Sequence, residues 1–284
     1  MIKLKIGISN GTHAKFGDNG YEKLSELGFT HIDYNVLCKQ THGIYKGGNI
    51  EELLSPEKAK IAGAGLTVSQ THGPWDYHRD GDTPEQINKM YENLKICIKA
   101  NAFLGVKYIA VHPFFPHGEM SSEGADEDLE LNVKLFKELQ PLLEEYDVTL
   151  CIENLPWPLA VNGYPARVLE LIERLDNPHY AACLDTGHAM ACKVQPGDAV
   201  KTLGKHLKIT HIHDNEGGGD QHKFPYDKNC KIDWEYFSKC MKEIGYDGVF
   251  NLETAPDSRL AEDVYLTQLE YLAKILKIIA KAAE

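Results

Sequence analysis

Six short apolar runs in this 284-residue chain each end on a side chain able to bind a divalent cation. LTVSQTH ends on His72, YIAVH on His112, VTLCIE on Glu153, YAACLD on Asp185, LKITH on His211 and GVFNLE on Glu253. Successive ligands stand 26 to 42 residues apart, about one strand plus one helix each time. Carboxylates crowded together repel one another and resist leaving water unless a cation or protons compensate them. Glu153, Asp185, His211 and Glu253, at the ends of the last four runs, combine three oxygen donors with one imidazole. That set suits Mn, Mg, Co or Zn and leaves open positions for substrate oxygens. A single strand-end polar residue could be no more than a solvated cap on the rim. Four on consecutive strands point to a metal.

A second layer of candidates surrounds these. His72 and His112 belong to it, as do His188, three residues after Asp185, and the Asp220/His222 pair in the loop after the LKITH run. Histidine-rich sets favour zinc and similar metals, and this one could hold one or two further ions. The same side chains could instead hydrogen-bond a polyhydroxy substrate or orient the first ligands. Both readings stand at this level. His13, His31, His42, His78, His117, His179 and His206 have no comparable placement and are read as surface or structural.

The elements that must position these residues follow from the hydrophobic period. Strands are predicted at Leu4–Ser9, His31–Val36, Leu66–Gln70, Tyr108–His112, Thr149–Glu153, Tyr180–Asp185, Leu207–His211 and Val249–Glu253. Helices are predicted near Tyr21–Leu27, Ile50–Ala64 (interrupted at Ser55-Pro56), Thr83–Leu104, Ser121–Tyr146, Pro165–Leu175, Pro196–Leu203, Ile232–Ile244 and Leu260–Ala282. Thr83-Pro84 has the form of an N-cap followed by proline at the first helical position. Strands alternating with longer helices argue a parallel sheet, and eight of each argue closure. The expectation is a single-domain (β/α)8 TIM barrel over residues 1–284, whose strands deliver their C-terminal ends to one mouth. An open doubly wound sheet is the rival, but no GxGxxG follows the first strand.

The bulk composition narrows the partners. With 30 basic against 42 acidic residues the net charge is −12, which disfavours general affinity for nucleic acid or anionic membrane. Seven cysteines, an odd number without a CxxC, read as reduced thiols in a reducing compartment. MIKLKIGISN alternates like a strand and lacks the apolar core of a signal peptide, and no run reaches transmembrane length. A cytoplasmic protein is expected. The outer helices of such a barrel could associate into a homo-oligomer, and no segment marks an interface.

The runs VHPFFP, CIENLP, CLDTGHAMA, THIHDNEGGGDQHKFP…KIDW and GVFNLET, in this order over nearly the whole chain, resemble the xylose isomerase-like TIM-barrel superfamily. That superfamily includes sugar isomerases and epimerases and the endonuclease IV family. The isomerase and epimerase branch implies one catalytic metal on Glu153, Asp185, His211 and Glu253, with Glu153 and Glu253 as the proton-transfer pair and His188 contacting substrate. The endonuclease branch implies three zinc ions on His72, His112, Glu153, Asp185, His188, His211, Asp220, His222 and Glu253. The chain departs from the family in the stretch Pro225–Lys231, where a glycine-rich turn often stands.

The expected activity is isomerisation or epimerisation of a small hydroxy-carbonyl compound, a sugar or sugar derivative. A metal-stabilised enediolate would form as one glutamate removes a proton and the other returns it. Trp75 is a candidate wall for stacking on a sugar, although the stretch with Tyr77 and Arg79 equally suits a DNA wedge. Asp214, Glu216 and Asp220 oppose a phosphate in the loop after strand seven, while Ser258 and Arg259 after strand eight would favour one; Arg259 is also a candidate to contact substrate. The alternatives are phosphodiester hydrolysis by a multinuclear zinc site, as at an apurinic site, and a metal-dependent sugar-acid or keto-sugar lyase or dehydratase. The active-face loops lack the dense Arg/Lys clusters that tracking a phosphodiester backbone needs.

Overall fold

A computed structural model of the chain describes residues 4–76, 81–118, 123–160 and 163–284. Eight parallel strands form one sheet: β1 Ile6–Ser9, β2 His31–Tyr34, β3 Thr67–His72, β4 Tyr108–Val111, β5 Thr149–Glu153, β6 Tyr180–Asp185, β7 Leu207–His211 and β8 Phe250–Leu252. Their order, β7-β6-β5-β4-β3-β2-β1-β8, places β7 and β8 at the two ends. Those ends meet. The Ile212 N–H donates to Asn251 O at 2.7 Å and the Glu253 N–H to Ile212 O at 3.0 Å. The expected (β/α)8 TIM barrel is the fold.

Among the described residues nine α-helices surround it: α1 Gly20–Glu26, α2 Ile50–Gly63, α3 Pro84–Leu104, α4 Ala125–Tyr146, α5 Pro165–Leu175, α6 Thr186–Ala191, α7 Pro196–Leu203, α8 Trp234–Glu243 and α9 Glu262–Ala282. Thr83 caps α3 in a full capping box with Gln86, as its sequence implied. The expected start of the fourth helix at Ser121 lies outside the described residues, and two helices differ from the sequence reading. Helix α2 continues through Pro56, because Asn49 caps its start and Leu54 and Ile61 bury on either side of the proline. Helix α6 is additional: the Asp185 side chain accepts from the His188 N–H and turns the chain into a helix directly at the end of β6. No described helix is long and apolar enough to cross a membrane. The cysteines are free, and Cys97, Cys151, Cys183, Cys192 and Cys240 are buried.

Two register shifts aim the ligands. Between β2 and β3 the pairing passes from Ile32↔Val68 to Asp33↔Gln70, so β3 carries Ser69 as an extra residue. Between β6 and β7 it passes from Ala182↔Leu207 to Cys183↔Ile209, with Lys208 extra. An extra residue reverses the side to which all later side chains point. Beyond the second shift Asp185 pairs with His211, placing two ligands side by side.

The barrel interior is chemically divided. Beside β4–β7 lie Ala110, Cys151, Ala181, Cys183 and Ile209, a small apolar cluster separate from the main core. Beside β2, β3 and β8 lie the buried polar residues Asp33, Gln70 and Asn251. Gly7 on β1 makes room for this polar half, since a Cβ there would overlap the Asn251 side-chain oxygen and crowd Val249. Gly7→Ala is therefore expected to destabilise by about 1–3 kcal/mol, lowering the melting temperature by roughly 3–10 °C. A wild-type melting curve for this variant would show that Asn251 moves aside freely.

Candidate metal centre at the barrel mouth

Glu153, Asp185 and His211 are the last residues of β5, β6 and β7, and Glu253 follows β8 directly. Each offers a ligand atom, and the four atoms lie within 4.8 Å of one another. His211 Nδ1 is 3.0 Å from Glu153 Oε1 and 3.2 Å from Glu253 Oε2. The strand ends are locked together by Asn154, whose amide donates to Asp185 O at 3.0 Å and accepts from the Asp185 N–H at 2.9 Å. Asp185 itself is held at both oxygens, Oδ1 by the His188 N–H at 2.6 Å and Oδ2 by His213 Nε2 at 2.9 Å.

Glu153 joins this group to a second one. Its other oxygen, Oε2, lies 3.2 Å from His72 Nε2 and 3.4 Å from His112 Nε2. A third group gathers His188, His213, Asp220 and His222. There Asp220 Oδ1 lies 3.3 Å from His188 Nε2 and 2.8 Å from His222 Nε2. In His72, His188 and His222 Nδ1 faces a backbone carbonyl, that of Gly73, Asn154 and Glu253 in turn, at 2.8, 3.0 and 2.7 Å. A carbonyl only accepts, so each Nδ1 carries the proton and each Nε2 is left toward a carboxylate. His222 holds its place in left-handed backbone, φ 45°, a conformation uncommon outside glycine. The Thr254 hydroxyl fixes it by donating to His222 O at 2.7 Å.

The electrostatics describe a site short of positive charge. Burial opposes ionisation of Glu153, yet charged His211 and hydrogen bonds from His112, His211 and His72 hold it well below the usual carboxylate range. Burial likewise opposes Asp185, and His188 and His213 overcome it, holding it well below its ordinary value. Burial pushes Glu253 up to about 8; the charge of His211 resists, while Glu153 and Asp185 reinforce the rise. Burial also works against charge on His188 and His222. Asp185 and Asp220 nonetheless raise His188 to about 9, and Asp220 and Glu253 raise His222 to about 10. Imidazolium protons thus supply the compensation. The donor set fits a divalent cation in their stead: three carboxylates and an imidazole converge, and buried His112 Nδ1 and Glu253 Oε2 lack hydrogen-bond partners.

A cavity of about 200 Å³ opens over these residues, with Asn35, Cys38, Trp75, Leu155 and Trp157 completing its wall. Trp75 is 37% exposed, its ring centroid 5.1 Å from that of His112. Arg259 does not line the cavity; it is exposed and ion-paired with Asp257. Tyr77 and Arg79 fall outside the described residues. The other sequence candidates, His72, His112, His188, Asp220 and His222, are brought together around the four central ligands. Sequence reasoning missed Asp33, Asn154, Trp157 and His213. For His213 the signal was present, since in THIHD it alternates with His211 onto the same side of the chain. Gly187 clears its space, because a Cβ there would overlap the His213 ring.

Residues 21–275 match the family described as xylose isomerase-like TIM barrel, and the chain belongs to it. Among relatives, an uncharacterised protein of Methanocaldococcus jannaschii is 27% identical over 263 residues, 89% of this chain and 84% of its own length. The solved structure of a D-tagatose 3-epimerase-like protein superposes with a TM-score of 0.75 at 23% identity, covering 98% of each chain. That of a D-psicose 3-epimerase, determined in the presence of D-fructose, gives 0.76 at 14% identity, covering 98% of this chain and 99% of its own. At these identities the likeness to the solved structures is one of fold.

The charge balance around Asp220 is open to measurement. In metal-free protein, NMR titration of the histidines should find His188 and His222 protonated to about 9 and about 10. Asp220→Asn removes a carboxylate that favours both imidazolium ions, so both values should fall toward the ordinary histidine range. Unchanged titration in that variant would show that Asp220 does not carry the effect.

Proposed function

We propose that this chain is a divalent-metal-dependent isomerase or epimerase acting on a small hydroxy-carbonyl compound, a sugar or sugar derivative. The observation that carries the reading is the convergence of Glu153, Asp185, His211 and Glu253 within 4.8 Å at the mouth of a family barrel. The shared fold of a D-tagatose 3-epimerase-like protein and a D-psicose 3-epimerase supports it. The cavity, about 200 Å³, is smaller than the ~300–1,000 Å³ typical of drug-sized ligand sites, in keeping with a small substrate.

A divalent cation bound by the four central ligands would act as a Lewis acid on the substrate's carbonyl and adjacent hydroxyl. The chain's own residues then have distinct tasks. Glu153 and Glu253 approach from strands β5 and β8, so each carboxylate can face the substrate from its own side. One takes the proton from the carbon beside the carbonyl, leaving an enediolate. The other returns a proton. Return to the same carbon from the opposite face inverts it; return to the neighbouring carbon, with transfer of a proton between the oxygens, moves the carbonyl. Trp75 offers a ring face for the apolar side of a sugar, and His188 and Asp220 offer hydrogen bonds to hydroxyls. The cations of the active-face loops at Lys223 and Arg259 are taken up by Glu216 and Asp257, which favours an uncharged substrate over a phosphorylated one.

A second reading rests on a specific observation: Glu153 links two ligand groups through its two oxygens, and a third forms around Asp220. Three metals there would suit phosphodiester hydrolysis of the endonuclease IV kind. Metal content decides between the two. About one exchangeable Mn, Mg or Co ion per chain, measured by mass spectrometry without chelators, is expected for the isomerase; two or three tightly held zinc ions would favour the hydrolase.

Glu153→Gln and Glu253→Gln should each lower turnover by about 10²–10⁴-fold or more with the fold intact. The readout is exchange of solvent deuterium into the carbon beside the carbonyl of a panel of ketoses. Near-normal exchange in either variant would sink the two-glutamate scheme. His222→Ala should cost little if one metal acts, and should abolish activity if the site is a cluster.

A further inference from the structure

His211 differs from the other histidines at the mouth in the way its ring is held. His72, His188 and His222 each give the Nδ1 proton to a backbone carbonyl and present Nε2. His211 is reversed: Nδ1 faces Glu153 and Glu253, while Nε2 faces a side chain. That side chain is Asp33 on β2, fully buried, with Oδ2 at 3.4 Å from His211 Nε2.

Asp33 is itself fixed within the polar half of the barrel. Its Oδ2 accepts from Gln70 Nε2 at 3.2 Å. Gln70 Oε1 in turn accepts from Asn251 Nδ2 at 2.6 Å, and Asn251 Oδ1 from the Ser69 hydroxyl at 3.1 Å. The relay therefore runs from β2 through β3 to β8 and ends two residues before Glu253. A carboxyl group at 0% exposure is costly unless hydrogen-bond donors face it. The donors facing this one are the Gln70 amide and the His211 ring.

We infer that Asp33 is a positioning residue of the metal centre: it holds the proton of His211 on Nε2 and thereby commits the Nδ1 lone pair to the cation. This rests on the metal-dependent reading above. A carboxylate on the far nitrogen of a ligand histidine fixes its tautomer and ring angle and makes the near nitrogen a better donor. The other ligands do not require such a partner, because Glu153 and Glu253 present carboxylates and Asp185 is braced by His188 and His213. Asp33 also explains why Gln70 and Asn251, two large polar side chains, occupy the interior of a barrel whose other half is apolar.

The test is isothermal titration of chelator-stripped protein with Mn²⁺ and Co²⁺, comparing wild type, Asp33→Ala and the nearly isosteric Asp33→Asn. Alanine is expected to weaken metal binding by ~10–100-fold, with asparagine in between, since its carbonyl can still accept the Nε2–H. Nitrogen-15 NMR of zinc-loaded wild type, labelled at histidine, should show His211 protonated on Nε2 with Nδ1 shifted by the metal. Variants binding as tightly as wild type would overturn the inference and leave the metal reading standing. So would a His211 protonated on Nδ1 in the loaded wild type, a result that needs no variant to fold. Wild type binding no divalent ion would overturn both.

Discussion

Glu153 carries two carboxylate oxygens into a barrel mouth where it is 1% exposed, and each oxygen faces a different set of imidazoles. The surrounding architecture can be understood as the means of keeping that charge tolerable. Asp185 on one side is fully buried as well, and Asp33 and Glu253 add further carboxyls within reach of His211. Such a group is stable only if positive charge is built in opposite it. His72, His188, His211 and His222 supply it as protons, and a divalent cation would supply it in more compact form. Closure of the sheet follows the same need, because the Ile212 and Glu253 amides that join β7 to β8 also set the place of Glu253 beside His211.

The two halves of the interior serve this charge differently. The apolar half, with Cys151, Cys183 and Ile209 below Glu153 and Asp185, gives a dry floor in which electrostatic interactions are strong. The polar half, with Asp33, Gln70 and Asn251, gives a hydrogen-bonded frame that turns His211 toward the ligands. A wholly apolar interior would leave His211 Nε2 facing hydrocarbon. A wholly polar one would weaken the field at the mouth and cost the barrel its packing. Gly7 and Gly187 mark where large polar side chains, Asn251 and His213, are admitted into otherwise close-packed space.

Much of this is legible in the chain because strand-end residues announce themselves. β5, β6 and β7 have the bounds that the apolar runs imply, since buried parallel strands are continuous hydrophobic stretches closed by the first obligatory polar residue. The ligands are that residue, so fold and site were read from one signal. The same logic hid Asp33. It lies inside the run HIDY, where an acidic residue reads as a strand side chain turned to solvent, and only the shift at Ser69 and closure of the sheet reveal that it faces His211. Helix α6 escaped because TGHAMA is too short for helical periodicity and depends on a cap from Asp185, a residue already assigned to another role. Asn154 escaped because its work is done across strands, on the backbone of Asp185.

The loop after β7 shows how far local sequence can be organised by one buried acid. Asp214 accepts from the Trp234 indole at 2.7 Å, the Tyr226 N–H at 3.1 Å and the Asn215 N–H at 2.8 Å. It also exchanges both backbone hydrogen bonds with Lys223, at 2.8 and 3.0 Å. The HDN and IDW segments, separated by an irregular stretch, are thus two sides of one fastening. The fastening is what allows the stretch Pro225–Lys231 to depart from a glycine-rich turn without loosening the site, since Asp214 anchors the chain on both sides of His222. His222 can then be held in left-handed backbone with its ring stacked on His213 at 4.0 Å. The strain at one residue is carried by hydrogen bonds from its neighbours, and its ring is delivered to Asp220 without any regular element beneath it.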